Sequence, residues 1–191
     1  MLTNYGWGDA LQHDFAPFAE QGLAPARVVL QQRDRYGLIT EAGEVFATLA
    51  GKLQHEAPPG GLPVAGDWVA VTPRPDEDAA TIRHVLPRRT AFVRKAAGTD
   101  ETLQVVAANI DVAFLVCALD KDFNLRRIER YLAAAFESGA EPVVLLTKAD
   151  TCDDPGAFVA QTMRVAPGVE VQPVSAITGD GVEAVRKRLG P

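Results

Sequence analysis

Short runs of alternating apolar and polar residues, separated by turn residues, fill the chain from about Arg27 to Leu86. A period of two is typical of strands that bury one face. The run from Arg27 to Arg33 predicts the first strand, whereas Pro58-Pro-Gly-Gly-Leu-Pro63 predicts a loop because proline cannot continue a ladder of hydrogen bonds. Further strands are expected over residues 38–40, 45–49, 67–72 and 80–86.

Five short strands within about 60 residues fit a small closed barrel of the OB type. An SH3-like barrel and a fragment of a β-sandwich fit the same spacing, and the hydrophobic pattern alone does not separate the three folds. The aromatic residues Trp68, Tyr36 and Phe46 either fill the core of this barrel or stack on RNA bases. We expect Trp68 to be buried, since it lies within an alternating strand.

The pattern changes after about Leu103, where strands alternate with helices. The apolar run from Val112 to Leu119 is typical of a parallel strand covered on both faces. Asn124 is expected to cap a helix that Gly139 ends, with an apolar stripe formed by Leu125, Ile128, Leu132 and Ala135. Strands at 143–146 and 169–174 and helices at 155–164 and 182–189 complete a βαβαβα series, which predicts a parallel sheet with right-handed crossovers.

The two patterns together predict a two-domain chain, in which an all-β OB-fold barrel is followed by a partial α/β domain. The expected divisions are an N-terminal extension at 1–25, the barrel at 26–90, a linker at 91–102 and the α/β domain at 103–191.

Composition narrows the function classes. Hydrophobic residues make up 47% of the 191 residues, so a buried core is expected, and the formal net charge of −6 excludes a globally basic nucleic-acid coat. The apolar runs are far shorter than the roughly 18 to 20 residues that cross a bilayer. The first basic residue is Arg27, so the start of the chain lacks the pattern of a signal peptide. We expect a cytoplasmic protein with no membrane partner.

The residues that commonly hold metals form no clear pattern. The two cysteines, Cys117 and Cys152, lack CxxC spacing, and the three histidines are scattered, so free thiols and no metal site are predicted. Asp120 and Asp122 follow a predicted strand and would either bind magnesium or lie in the solvated loop before the Asn124 cap. The second interpretation is preferred, because acidic groups are favourable near a helix N-terminus.

Positive charge is concentrated in the β-rich half. Residues 27–95 carry ten basic side chains against eight acidic ones, which makes this half the better partner of a polyanion such as RNA. The basic segment from Arg83 to Lys95 would contact phosphates or serve as an interdomain linker. Weak candidates for RNA contact are Arg33, Arg35, Lys52, Arg88, Arg89, Arg94 and Lys95.

A short motif, Thr147-Lys148-Ala149-Asp150, directly follows the predicted strand at 143–146. It matches the Asn/Thr-Lys-x-Asp pattern of guanine-specific nucleotide pockets. A carboxylate accepts two parallel hydrogen bonds, and guanine offers the adjacent N1–H and N2–H donors, whereas adenine would leave Asp150 unpaired. The aliphatic stem of Lys148 would cover one face of the base.

A second short motif, Ser175-Ala176 followed by Ile177, ends the next predicted strand. Its turn would direct backbone N–H groups at the guanine O6 atom, and the small Ala176 would let the ring approach. Both loops are expected at the same edge of adjacent parallel strands. The predicted nucleotide-binding residues are Thr147, Lys148, Ala149, Asp150, Ser175, Ala176 and Ile177.

A barrel followed by Thr147-Lys-Ala-Asp150 and then Ser175-Ala176 resembles the arrangement in the circularly permuted GTPases that depend on the small ribosomal subunit, a group of bacterial 30S assembly factors. The resemblance covers roughly residues 26–190. Further matches are Tyr36 with its turn, Gly51-Lys52-Leu53, Gly66-Asp67-Trp68-Val69, Ala108-Asn109-Ile110-Asp111, Asp122-Phe123-Asn124 and Leu125–Leu132.

The resemblance implies an OB domain that docks on ribosomal RNA, followed by a permuted G domain of the P-loop type with base-recognition motifs ahead of the phosphate-binding ones. It further implies GTP hydrolysis in late maturation of the 30S subunit. The implied partners are the 30S subunit with its rRNA and a guanine nucleotide, and we expect a monomer. Magnesium and a C-terminal zinc module are expected only in the full-length family member.

The sequence departs from the family plan at its end. It contains no Gly-x4-Gly-Lys-Ser/Thr loop, and it stops at Leu189-Gly-Pro191, near where that loop would begin. We expect a truncated piece with no catalytic residue, which hydrolyses no GTP and binds GTP or GDP weakly or not at all. The alternative is a non-enzymatic OB-fold RNA-binding or scaffold module whose α/β half binds no nucleotide. A Rossmann-like enzyme is disfavoured because the chain has no GxGxxG turn.

Overall fold

The computed structural model describes residues 1–33, 35–95 and 103–189, and the chain forms two compact units, Met1–Asn109 and Ile110–Pro191. The strands of the first unit are β1 (Ala24–Gln32), β2 (Arg35–Thr40), β3 (Gly43–Leu49), β4 (Trp68–Arg74), β5 (Ala79–Val85), β6 (Ala91–Lys95) and β7 (Leu103–Ala108). Its helices are α1 (Asp9–Ala19) and α2 (Gly51–Glu56), with 3-10 turns at Leu2–Tyr5 and Pro75–Glu77.

Five strands of the first unit close into a barrel in the order β1-β2-β3-β5-β4. Pairing of β1 with β4 closes the barrel, and β3 runs parallel to β5 while the other neighbours are antiparallel. These strands correspond to the five that alternation predicts, so the expected OB-type barrel is confirmed. The SH3-like barrel and the sandwich fragment are thereby ruled out.

The barrel core is formed by the inward-facing residues of the alternating strands, among them Tyr36, Leu38 and Ile82. Strand β4 is buried on both faces, because Val69 and Val71 belong to this core while Trp68 and Ala70 belong to a second cluster. Trp68 is therefore buried as expected.

The second cluster lies under the N-terminal residues. Helix α1 contributes Leu11 and Phe15, which pack with Trp68, and the ring of Trp7 meets that of Trp68 edge to face at 4.9 Å. The segment predicted as an N-terminal extension, 1–25, thus contains a helix that covers one side of the barrel.

The segment predicted as a linker, 91–102, begins with a strand. Strand β6 pairs antiparallel with β7, and both belong to the first unit, which extends to Asn109. The absence of a side chain at Gly66 lets the end of β7 approach the barrel closely. The φ of Gly66 is +90°, and a Cβ there would lie 1.9 Å from the Ala108 carbonyl oxygen. Residues 96–102 of the predicted linker lie outside the described residues.

A buried ion pair fixes the loop that precedes β4. The Asp67 side chain is fully buried, and Arg88 donates from Nε to Oδ1 at 2.8 Å and from a terminal nitrogen to Oδ2 at 2.7 Å. Arg88 also donates to the carbonyl oxygens of Gly60 at 2.6 Å and Leu62 at 2.9 Å. The carboxylate accepts a further bond from the Val64 N–H at 2.8 Å. Arg88 therefore holds this loop from within the unit, which leaves its guanidinium little capacity for the predicted contact with RNA.

The second unit is an α/β layer. Its strands are β8 (Val112–Ala118), β9 (Glu141–Thr147) and β10 (Glu170–Val174), and its helices are α3 (Leu125–Ser138), α4 (Pro155–Val165) and α5 (Val182–Arg188). The strands form a parallel sheet in the order β10-β9-β8, which confirms the predicted partial α/β domain.

The ends of α3 follow the sequence signals. The Asn124 side chain accepts a bond from the Arg127 N–H at 3.1 Å, and Gly139 ends the helix with a φ of 85°. The predicted stripe faces inward, since Ile128, Leu132 and Ala135 are buried. Among the described residues no helix is long and apolar enough to cross a membrane.

We predict that Arg88→Met lowers the free energy of unfolding of the first unit by about 3–5 kcal/mol, because it leaves the buried Asp67 carboxylate without its cation. Urea unfolding followed by tryptophan fluorescence measures this, since both tryptophans, Trp7 and Trp68, lie in the first unit. Arg94→Met is the matched control: this exposed arginine contacts Gln104, and a change within about 0.5 kcal/mol is expected. Equal effects of the two substitutions would contradict the structural role of Arg88.

Candidate functional site

The three parallel strands of the second unit end level with one another. Ala118 of β8 pairs with Thr147 of β9, which in turn pairs with Val174 of β10. Because the strands are parallel, the loops that follow them emerge at one edge of the sheet. This register brings together Asp120, the Lys148–Asp150 turn and Ser175.

The Asp150 carboxylate is held by the neighbouring loop. Ser175 is 1% exposed, and its hydroxyl donates to Asp150 Oδ1 at 2.5 Å. The same hydroxyl oxygen accepts the backbone N–H groups of Ile177 at 3.2 Å and Thr178 at 3.1 Å. Asp150 itself is exposed, so its carboxylate is fixed in direction while it remains open to a ligand.

The loop after β10 is compact. The Ser175 N–H donates to the Asp180 carbonyl at 2.9 Å, and the Gly179 N–H donates to the Ser175 carbonyl at 2.9 Å. Gly181 closes the loop with a φ of +75°, where a Cβ would lie 2.2 Å from the Pro173 carbonyl oxygen. Any residue with a Cβ atom at position 181 would force the loop away from the end of β10.

Ala176 and Ile177 lie on the outer side of this loop. Both are exposed, and Ile177 is 85% exposed although it is apolar. Within the described part of the chain, the Ala176 N–H has no hydrogen-bond partner. The loop therefore presents a backbone donor and an apolar side chain next to the Asp150 carboxylate.

Lys148 is anchored on the opposite side of the turn. Its backbone adopts the left-handed conformation with a φ of 57°, and its Nζ atom donates to Asp120 Oδ2 at 2.6 Å. The hydrogen bond from Lys148 lowers the pKa of Asp120 below its ordinary value, with a further contribution from the Asp122 N–H. The same bond raises the pKa of Lys148.

The alternative in which Asp120 and Asp122 bind magnesium is not supported by their contacts. Asp120 pairs with Lys148, and Asp122 pairs with Arg127 at 3.1 Å. Within the described ranges, no group of three or more histidine, cysteine, aspartate or glutamate side chains is arranged to hold a metal ion. Both cysteines are free thiols.

The cations predicted to contact RNA belong to the first unit. Those with exposed side chains are Arg33 and Arg35 beside the β1–β2 turn, Lys52 on α2, Arg89 after β5 and Arg94 on β6. The side chain of Lys95 lies outside what the structure describes. These positions are compatible with an RNA surface, and the contact with RNA stays a prediction.

The aromatic residues considered for RNA stacking divide into two groups. Tyr36 and Trp68 are each only 2% exposed, so neither ring is available to a base. Phe46 is 51% exposed, and the guanidinium carbon of Arg35 lies 4.7 Å from its ring centroid. Phe46 is thus the one of the three that stays a candidate for stacking.

A barrel is followed by an α/β unit in which a Thr-Lys-x-Asp turn and a Ser-Ala loop lie side by side at the sheet edge, and this combination is typical of the base-recognition part of a GTPase fold. Residues 85–191 match the family model described as RsgA GTPase. The chain belongs to the RsgA GTPase family, which confirms the resemblance inferred from the sequence.

Curated relatives match nearly the whole chain. A protein from Opitutus terrae named small ribosomal subunit biogenesis GTPase RsgA is 45% identical over 100% of this chain and 54% of its own length. A protein of the same name from Streptomyces coelicolor is 43% identical over 96% of this chain and 50% of its own length. The chain spans about half the length of these relatives.

Solved structures show the same fold. The crystal structure of YjeQ from Thermotoga maritima matches 87% of this chain and 56% of its own with a TM-score of 0.67 at 23% identity. The crystal structure of YloQ, described as a circularly permuted GTPase, matches 86% of this chain and 55% of its own with a TM-score of 0.61 at 16% identity.

The sequence motifs did not single out Asp120 as a partner of Lys148. The pair joins residues 28 positions apart, and it depends on the register of β8 and β9. One signal was present: Asp120 follows the end of its strand at nearly the same distance as Lys148 follows the end of β9.

We predict that the pKa of Asp120 lies below its usual value and rises toward it in Lys148→Met, because the substitution removes the ammonium group that stabilises the carboxylate. Titration of the side-chain carboxyl carbons by NMR measures both values. Glu41 is the internal control, since its pKa is lowered chiefly by a hydrogen bond from the Met1 amino group and is expected to stay so. A titration midpoint of Asp120 that does not move would show that the pair does not form in solution.

Proposed function

We propose that this chain contributes the RNA-binding barrel and the guanine-recognition half of a GTPase that acts in biogenesis of the small ribosomal subunit. The observation that carries the proposal is the hydrogen bond from Ser175 to Asp150, which joins the two predicted base-recognition motifs at one sheet edge. The names of the curated relatives, of which this chain spans about half, supply the ribosomal part of the proposal.

The geometry suits a guanine base. The Asp150 carboxylate would accept N1–H and N2–H, and the Ala176 N–H would donate to O6. The stem of Lys148 and the exposed side chain of Ile177 would cover the two faces of the ring. Thr147 is the last residue of β9 and Ala149 is the first of the 3-10 turn that follows, and neither has a charged group to offer the base.

Selection of the base does not supply catalysis. The 191 residues contain no Gly-x4-Gly-Lys-Ser/Thr loop, whose backbone N–H groups would hold the phosphates and whose hydroxyl would bind magnesium. We therefore assign no catalytic residue, magnesium site or zinc site to these residues. This chain alone hydrolyses no GTP, and it binds the nucleoside part of GTP or GDP with low affinity.

We predict that Asp150→Asn exchanges the preference of the chain from guanosine to xanthosine. Xanthine carries a carbonyl at C2 where guanine carries an amino group, so the asparagine amide pairs with xanthine and leaves guanine mismatched. Guanosine affinity should fall about tenfold or more, which corresponds to leaving a polar edge unsatisfied. Titration of the 15N-labelled chain with each nucleoside, followed at the Ala176 and Ile177 amides, measures the exchange.

Asp153→Asn is the matched control, since it removes one exposed carboxylate from the same loop region. Its preference for guanosine should equal that of the parent chain. If Asp150→Asn instead binds both nucleosides as the parent does, Asp150 does not read the base. If the parent chain binds no guanosine while it still binds RNA, the alternative of a non-enzymatic RNA-binding module is favoured.

The barrel is the proposed RNA-binding part. Its exposed cations and the Arg35–Phe46 pair offer contacts to phosphates and to an unstacked base. Residues 27–95, which include the barrel, carry ten basic against eight acidic side chains, whereas residues 110–191 carry nine basic against twelve acidic ones, so we assign the electrostatic attraction to rRNA to the barrel.

We predict that replacing Arg33, Arg35, Arg89 and Arg94 together by glutamine weakens association with the 30S subunit. The slope of log affinity against log salt should fall by roughly 1 for each phosphate that the variant no longer neutralises. Filter binding across a salt series measures both quantities. The matched control replaces four exposed arginines of the second unit, Arg126, Arg130, Arg164 and Arg186, and should leave the slope unchanged. Equal decreases in the two variants would remove the barrel from the proposed RNA interface.

A further inference from the structure

Asp120 lies in the loop after β8, and its carboxylate is fixed on two sides. Oδ1 accepts the Asp122 N–H at 2.8 Å, and Oδ2 accepts Lys148 Nζ at 2.6 Å. The pairing crosses from the loop after β8 to the loop after β9. No motif for base recognition includes this residue, and it follows a third strand, β8, whereas Asp150 follows β9 and Ser175 follows β10.

We propose that Asp120 is a positioning residue of the base site: it anchors the ammonium group of Lys148 so that the aliphatic stem of this lysine forms a fixed wall for the purine ring. This inference rests on the proposed guanine recognition. It adds the loop after β8 to the loops after β9 and β10 that carry the two motifs.

The anchoring matters because a lysine stem is flexible. An exposed lysine samples many rotamers, and a wall for a planar base requires one extended arrangement. The backbone end of Lys148 is already fixed, since its carbonyl accepts the Thr151 hydroxyl at 2.9 Å. The bond to Asp120 fixes the other end, so the stem is held between two points.

The neighbouring charges leave Asp120 as the main anchor. Asp122 also attracts Lys148, but its carboxylate pairs with Arg127 at 3.1 Å. The site is therefore held from both flanking strands: Ser175 after β10 directs Asp150, and Asp120 after β8 directs Lys148. Asp150 contacts the edge of the base, whereas Asp120 acts on its face through Lys148.

This division of roles gives a specific expectation. Loss of the Asp120 anchor should weaken the binding of different purine nucleosides by a similar factor. Loss of the Asp150 carboxylate should instead change which purine is preferred. Because the ion pair is exposed to solvent, the expected effect is modest, about two- to fivefold in affinity.

The test titrates the parent chain and Asp120→Asn with guanosine and inosine by NMR, as chemical shift changes at the Ala176 and Ile177 amides. Inosine lacks the 2-amino group and binds through one fewer edge contact. We expect both affinities to fall about two- to fivefold in Asp120→Asn with their ratio unchanged, and Asp120→Glu to restore part of the affinity. Asp122→Asn is the matched control in the same loop, with an expected change smaller than that of Asp120→Asn.

A double-mutant cycle with Lys148→Met separates an effect of Asp120 that acts through Lys148 from a general effect on charge or on folding. In the Lys148→Met background, Asp120→Asn should have no further effect on guanosine affinity. An equal decrease in both backgrounds, or an equal decrease in Asp122→Asn, overturns the inference while the proposed function stands. Binding of guanosine that is indifferent to Asp120→Asn overturns it in the same way. Absence of guanosine binding by the parent chain overturns the proposed function, and this inference with it.

Discussion

Strands β8, β9 and β10 end level because Ala118, Thr147 and Val174 are paired across the sheet, and this register places every group of the candidate site. A shift of β10 by one residue would move Ser175 away from Asp150 and turn its side chain to the other face. The hydrogen bond between them is thus a consequence of backbone pairing rather than of the two side chains alone. The same holds for the lysine–aspartate pair, whose loops follow neighbouring strands.

Aspartates serve opposite purposes in the two units. Asp67 is buried, and its carboxylate accepts three hydrogen bonds, two from Arg88 and one from the Val64 N–H, all from within the first unit. Such a pair fixes a loop but cannot serve a ligand, because the carboxylate is fully buried and its partners are internal. Asp150 is exposed and is held by one serine hydroxyl, so it retains capacity for two donors. Burial and the number of internal partners, rather than residue type, decide which carboxylate is structural and which can recognise a base.

Local signals made most of the architecture predictable, since alternation marked the five barrel strands and capping residues marked the ends of α3. Tertiary packing gave no such signal. Helix α1 is stabilised against Trp68, and Arg88 meets Asp67 from 21 residues away. Strand β6 lies in the segment that resembles a basic linker, and it pairs with β7 beyond that segment. The meeting of Asp150 with Ser175 could be inferred because both follow parallel strands. The contact between the two base-recognition motifs was therefore predictable from strand order, whereas the β6–β7 pairing, the Asp120–Lys148 pair and the contacts of Arg88 were not.

Internal bonds that are present before any base binds also account for the selectivity at low affinity that we propose for this site. The Asp150 carboxylate and the Lys148 ammonium are both held by internal bonds, so little ordering is needed when a purine enters. Selectivity then comes from the wrong base, which leaves a desolvated carboxylate unpaired, rather than from strong attraction to the right one. Because this penalty is independent of the phosphates, discrimination between purines should persist in a chain whose overall affinity for nucleotide is low.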